Sequence, residues 1–98
     1  MRFQFKTIEL EKLYLTVENA YKYPPEVVTA FLRVMAKIMT ATDTRDLHAF
    51  KSLRYEKLKG NRQSQYSLRL NKQWRLIFEM HRDEHGTCLL IIQIEDYH

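Results

Sequence analysis

The hydrophobic pattern of this chain changes from helical spacing to a period of two close to residue 51, and that change limits the fold more than any other feature. Before it, apolar residues recur at spacings of three and four. Leu10, Leu13, Tyr14, Val17, Ala20 and Tyr21 form one run, and Val27, Phe31, Val34, Met35 and Ile38 form the next. Each run lays a single stripe along a helix. Thr7 is placed to cap the first. Pro24-Pro25 stops it and suits the first turn of the second, where proline has no N–H to lose, and that helix is expected to end near Thr40. The polar stretch Ala41–Lys51 (ATDTRDLHAFK) reads as a loop. After it, Tyr66, Leu68 and Leu70 alternate with polar residues, Asn71-Lys72-Gln73 marks a tight turn, and Trp74, Leu76, Phe78 and Met80 alternate again. A second turn, Asp83-Glu84-His85-Gly86, leads to CLLIIQI (Cys88–Ile94), a run apolar enough for a central strand buried on both faces. At the other end, Phe3 and Phe5 alternate with Arg2, Gln4 and Lys6 as in a short half-buried strand.

The expected architecture is therefore α+β: a short N-terminal strand, a helical hairpin, then an antiparallel meander of three to four strands, in the order β-α-α-β-β-β. No repeat, linker or boundary interrupts residues 1–98, which read as one domain, and 98 residues suffice for one modest core. Two glycines, two prolines and 12% aromatic residues exclude a low-complexity chain. The lone Cys88 excludes a disulfide framework and a cysteine-based zinc site, and suits a reducing compartment. No apolar run approaches the roughly 18 residues that span a bilayer, and the N-terminus lacks a signal-peptide core, so a soluble cytoplasmic protein with no membrane partner is expected.

The net charge of +4 is unevenly spread. Residues 51–75 carry Lys51, Arg54, Lys57, Lys59, Arg62, Arg69, Lys72 and Arg75 against the single acid Glu56, a local charge of +7. Residues 1–50 carry +1 and residues 76–98 carry −4. Cation gathered in this way reads either as a polyanion-binding face or as a solvated face that keeps a sheet soluble. There is no glycine-rich phosphate loop, GxSxG, HExxH or cysteine pair, and His48, His81, His85 and His98 are not at metal-ligand spacing. Neither a metal nor a cofactor is expected.

The chain ends in Glu95-Asp96-Tyr97-His98, directly after the most apolar strand. Such a tail is either frayed or held against the sheet. If held, it offers a carboxylate, a phenol and an imidazole, the groups a metal-free RNA cleavage uses. That reaction needs a base for the ribose 2′-OH, cations for the phosphorane and an acid for the leaving 5′-oxygen.

The order of residues 56–79, EKLKGNRQSQYSLRLNKQWRLIFE, resembles the RelE/HigB family of bacterial type II toxins, closest to the HigB branch. The elements that carry the resemblance are Leu58-Lys59-Gly60-Asn61-Arg62, Tyr66-Ser67, Asn71, Trp74-Arg75-Leu76-Ile77-Phe78 and the terminal Asp96-Tyr97-His98. It implies a RelE-like fold and a metal-independent endoribonuclease that cuts mRNA in the ribosomal A site. It also implies a HigA-like antitoxin with a helix-turn-helix domain, the 30S subunit and mRNA as further partners, and operator DNA only through the antitoxin. By position it assigns Lys59 and Arg75 to charge stabilisation, His98 to proton transfer, Tyr97 to base stacking or phosphate positioning, and Asp96 to orienting a cation or the imidazole. Lys57, Arg62, Arg69 and Lys72 become RNA contacts. Glu56 stands two residues before Leu58, where a histidine is common in the HigB pattern, and is a candidate general base. Asn61 replaces the usual aspartate of the turn. A ParE-like gyrase inhibitor that binds without cutting, and a RelE-fold RNA-binding module with impaired catalysis, are the alternative readings.

Overall fold

The computed structural model describes residues 1–62 and 64–97; the His98 expectation lies outside the described residues. Strand β1 (Arg2–Phe5) is followed by helices α1 (Ile8–Thr16), α2 (Pro25–Thr40) and α3 (Thr44–Ala49), then by strands β2 (Glu56–Lys57), β3 (Gln65–Arg69), β4 (Trp74–Asp83) and β5 (Gly86–Asp96). The strands form one sheet in the order β1-β5-β4-β3-β2. Strands β2 to β5 are the antiparallel meander expected from the period-two pattern. Strand β1 closes the far edge by lying parallel to β5, with Phe3 opposite Leu89 and Phe5 opposite Ile91. β5 is thereby a central strand, but it is not covered on both faces as its apolar run suggested: Leu89, Ile91 and Ile94 face the helices, while Leu90 and Ile92 add apolar surface to a face on which Gln93 is exposed.

The second helical stripe forms as its spacing requires. Val27, Phe31, Met35 and Ile38 have no exposed surface, and they pack on Leu68, Leu76, Phe78, Leu89, Ile91 and Ile94 of the sheet. Phe3, Phe5 and Tyr14 make edge and tilted ring contacts beside them, at centroid separations of 5.4–5.6 Å. Trp74 is half-buried against this core, edge-on to Tyr23 at 5.9 Å. The N-terminal ammonium of Met1 donates to the carbonyls of Ile38, Met39 and Ala41, satisfying acceptors that the end of α2 leaves open.

Two expectations from periodicity need correction. The first helix stops at Thr16 instead of running to Pro24, because Val17 enters the left-handed region (φ 60) and Glu18 N–H closes onto Lys12 O. This is a helix-ending geometry usually taken by glycine. Val17 and Tyr21 consequently lie exposed, while Ala20 and Tyr23 still reach the core from the turn that follows. The stretch read as a loop contains α3, with Asp43 Oδ1 accepting from Arg45 N–H at 2.8 Å as its cap and Leu47 fully buried. Six residues with one buried position show no periodicity, so only tertiary packing identifies that helix.

The opposite face of the sheet carries no helix. Pairing places Glu56, Ser67, Ile77 and Gln93 in one row across it, and Arg69, Arg75 and Glu95 in the next. A bulge inserts Ile92 into β5 between the partners of Ile77 and Phe78. Ile92 thereby faces outward and joins Leu58 and Ile77 in a small apolar cluster, with Leu90 and Tyr97 packed at its rim. Among the described residues no helix is long and apolar enough to cross a membrane.

Candidate functional site on the open sheet face

The small cluster is the floor on which the site is built. Burying Leu58 ties the segment after β2 to the sheet, and Leu58 N–H donates to Gln65 O at 2.9 Å. The chain then turns through Lys59 and Gly60 (φ +70) into a short 3₁₀ turn, Gly60–Arg62. The positive φ at Gly60 is a conformation that side-chain-bearing residues avoid. On the other side, the C-terminal tail is held against the sheet as far as Tyr97. β5 continues through Asp96, and Tyr97 N–H donates to Gln73 O at 2.6 Å.

Glu56, Leu58, Lys59, Arg62 and Tyr97 together line an open cleft of about 310 Å³. Arg75 adjoins two of these lining residues, its guanidinium carbon 5.2 Å from the centroid of the Tyr97 ring. Arg75 Nη1 donates to Arg54 O at 3.4 Å and stands 4.0 Å from Glu56 Oε2. The Arg75 side chain retains only 14% of its surface, against 51% for Glu56. A largely desolvated guanidinium next to an aromatic ring and a wet carboxylate is a cation stationed at a cleft. Five of the residues singled out from sequence (Glu56, Lys59, Arg62, Arg75 and Tyr97) therefore meet in one place.

The others are distributed around it. Lys57 points to the opposite side of β2 and lines an adjoining shallow cleft of about 350 Å³ with Leu58, Lys59 and Gly60. Arg69 is directly across from Arg75, but its Nε donates to Asn71 O at 3.2 Å, which draws it towards the turn. Lys72 is exposed in that turn, whose shape is set by Asn71 Oδ1 accepting from the N–H groups of Gln73 and Trp74, both at 2.8 Å. Asp96 pairs in register with Trp74, so alternation puts it on the row facing away from the cleft. Its carboxylate accepts from Gln73 Nε2 at 3.0 and 3.1 Å. Among the described residues no group of three or more potential metal ligands comes together.

Sequence reasoning passed over Glu95. Its carboxylate takes the Arg62 guanidinium end-on, with Nη1 and Nη2 at 3.0 and 2.9 Å. Arg62 Nε donates to Gln65 Oε1 at 3.0 Å, and Gln93 Nε2 donates to Glu95 Oε1 at 2.9 Å. The hydrogen-bonded Glu95 carboxylate raises the Arg62 pKa above its ordinary value, outweighing burial, which acts to lower it. Strand parity was the signal available, because Glu95 and Tyr97 are two apart and so share a face. Ser67, opposite Glu56 on β3, was also missed as part of this floor. It is fully buried, and its hydroxyl has no hydrogen-bond partner among the described residues.

The sequence model of one family, described as the RelE-like toxin of the type II toxin–antitoxin system HigB, matches residues 3–96. Toxin HigB-1 of Vibrio cholerae serotype O1 is 33% identical over 79 residues, covering 81% of this chain and 83% of that protein. Among solved structures, a YoeB/ParE toxin from Agrobacterium tumefaciens superposes with a TM-score of 0.62 at 15% identity, over the whole of both chains. A YoeB–YefM complex from Staphylococcus aureus gives 0.57 at 21% identity, covering all of this chain and 97% of that one. At these identities the structural likeness concerns the fold alone.

Proposed function

Because the chain belongs to the RelE-like toxins of HigB type II toxin–antitoxin systems, we propose that it is a ribosome-dependent endoribonuclease that cuts mRNA in the ribosomal A site and so arrests translation. The observation that carries this reading is the meeting of Glu56, Lys59, Arg75 and Tyr97 at one cationic cleft on the uncovered sheet face. The cleft matches what cleavage by the neighbouring 2′-hydroxyl requires. A base removes the 2′-OH proton, the 2′-oxygen bonds to phosphorus, and the bond to the 5′-oxygen breaks as that oxygen gains a proton. The products are a 2′,3′-cyclic phosphate and a 5′-hydroxyl.

In this scheme Lys59 and Arg75 stabilise the negative charge that grows on the phosphorane. Tyr97, already seated beside Arg75, offers its ring to a splayed base. Glu56 is the carboxylate within the cleft that can accept the 2′-OH proton, and His98 is assigned the transfer to the leaving oxygen. Asp96 acts through the tail by holding Gln73, whose carbonyl anchors Tyr97. Lys57, Arg69 and Lys72, which lie outside the cleft, are assigned as phosphate contacts on mRNA or 30S rRNA, a binding mode that weakens steeply with salt. The ribosome aligns the substrate, which lets a cleft with few reactive groups suffice. The partner that restrains the toxin is a cognate HigA-like antitoxin with a helix-turn-helix domain, and both act in the cytoplasm.

The test is cleavage of a defined mRNA by purified protein with and without programmed ribosomes, resolved by primer extension. Cuts confined to A-site codons in the presence of ribosomes are expected. Cuts on naked RNA would replace the ribosome-dependent reading with that of a free-standing nuclease. Absence of cuts in both tubes would overturn nuclease activity and direct the next assay to DNA gyrase.

A further inference from the structure

The cleft is assembled from two segments that are distant in sequence and joined by little else than side chains. Lys59 sits at the start of a turn with almost no buried surface of its own. Leu58 before it is buried, whereas Gly60 and Asn61 after it are exposed. Among the described residues the Lys59 ammonium has no partner that would fix it. Its position therefore depends on the two ends of the turn. Leu58 holds one end through the apolar cluster, and Arg62 holds the other through its guanidinium.

We infer that Glu95 is a positioning residue: by clasping Arg62 end-on it fixes the 59–62 turn against β5, and so places the Lys59 ammonium and the Tyr97 ring on opposite walls of one cleft. This rests on the nuclease reading above for its catalytic consequence, though not for its structural one. Three hydrogen bonds fix the guanidinium plane, two donated to Glu95 and one to Gln65, and Gln93 in turn orients the Glu95 carboxylate. Both partners are mostly buried, with 34% and 21% of their side-chain surfaces exposed, so the pair is shielded more than a surface bridge. Arg62 is thereby an anchor of the turn and not a free cation for RNA. Glu95 is two residues from Tyr97 on the same strand, so one carboxylate sets the spacing of both walls.

The inference separates from two simpler roles. If Glu95 only neutralised Arg62, removing it would free a cation and tighten RNA binding while leaving turnover intact. If it only stabilised the fold, its loss would lower melting temperature and active fraction together. Glu95→Ala, Glu95→Gln and wild type are compared by amide hydrogen exchange, melting temperature, affinity for a single-stranded RNA oligonucleotide, and kcat and KM on programmed ribosomes. For Glu95→Ala, exchange at Gly60–Arg62 is expected to rise about tenfold with melting temperature little changed. Its kcat is expected to fall about 100-fold, the scale set by a misplacement of roughly 1 Å, with KM within about threefold. Glu95→Gln, which keeps one acceptor oxygen, is expected to lie between. Unchanged exchange in the turn, or tighter oligonucleotide binding with wild-type kcat, overturns the inference. If wild-type protein fails to cut ribosome-bound mRNA, the nuclease reading falls by itself, and the exchange rates alone decide the clasp.

Discussion

Replacing Arg75 with alanine separates a catalytic cation from a structural one, because its two costs differ in size. On the stability side, the pair with Glu56 is long, at 4.0 Å, and Glu56 is half exposed, so screening leaves only a few tenths of a kcal/mol. The contact with the Tyr97 ring adds about 0.5–1 kcal/mol. Truncation also uncovers sheet surface beneath the methylene stem. Against these, the mutation relieves the like-charge juxtaposition of Arg75 with Arg69 directly across β3 and β4. The net loss is about 1 kcal/mol, or a melting shift of about 4–8 °C for a domain of this size. With roughly 5 kcal/mol or more of total stability, the variant stays almost wholly folded. On the chemical side, removing a preorganised charged donor from a developing oxyanion costs about 10²–10³ in rate, or roughly 2.7–4 kcal/mol. Single-turnover cleavage on programmed ribosomes, run well below the melting temperature, should therefore fall far more than unfolding can explain. Arg75→Lys keeps the charge but not the fork and is expected to recover part of the loss. Cleavage within about threefold of wild type would remove Arg75 from the chemistry. A loss that tracks the unfolded fraction would make it a structural residue.

Three further outcomes follow from the geometry. Val17 holds φ 60 at the end of α1 with half its surface exposed, so Val17→Gly should stabilise by about 0.5–1 kcal/mol in a denaturant titration; a loss of stability would show that its side chain matters more than its backbone. Leu47 is the fully buried residue of α3, and Leu47→Ala should cost about 2–5 kcal/mol, whereas under 1 kcal/mol would mean that α3 is not docked. Burial pushes the Tyr55 phenol from 10.0 to about 12, so its neutral form is favoured in the folded protein. This contribution to stability is whole below pH 10 and is lost as pH rises through about 12. Tyrosinate absorbance should show a late-titrating component from Tyr55, joined by Tyr23, whose phenol burial also raises, and a single uniform transition near pH 10 would contradict that burial.

Much of the architecture could be read directly. The period-two runs located β3, β4 and β5, Asn71 marked the turn between β3 and β4, and Pro24-Pro25 marked the start of α2. Periodicity failed at Val17, where one left-handed residue ends a helix whose apolar spacing continues, and in α3, where a single buried leucine has no period. Of the site, the residue types and their clustering in sequence were legible, while the Glu95–Arg62 clasp was not. An ion pair between residues 33 apart depends on which strands become neighbours and at what register.

The amino-acid sequence alone determined the apolar stripe of α2, the alternating runs of β3 and β4, the apolar run of β5, and that cation accumulates between residues 51 and 75, because these follow from local periodicity and side-chain chemistry. Tertiary structure alone decided that β1 lies parallel to β5 and that the bulge at Ile92 turns an isoleucine outward to make a second cluster. It also brought Tyr97 beside Arg75. Those outcomes depend on strand order and register, which arise from burying the whole core at once and leave no mark on any short stretch of chain.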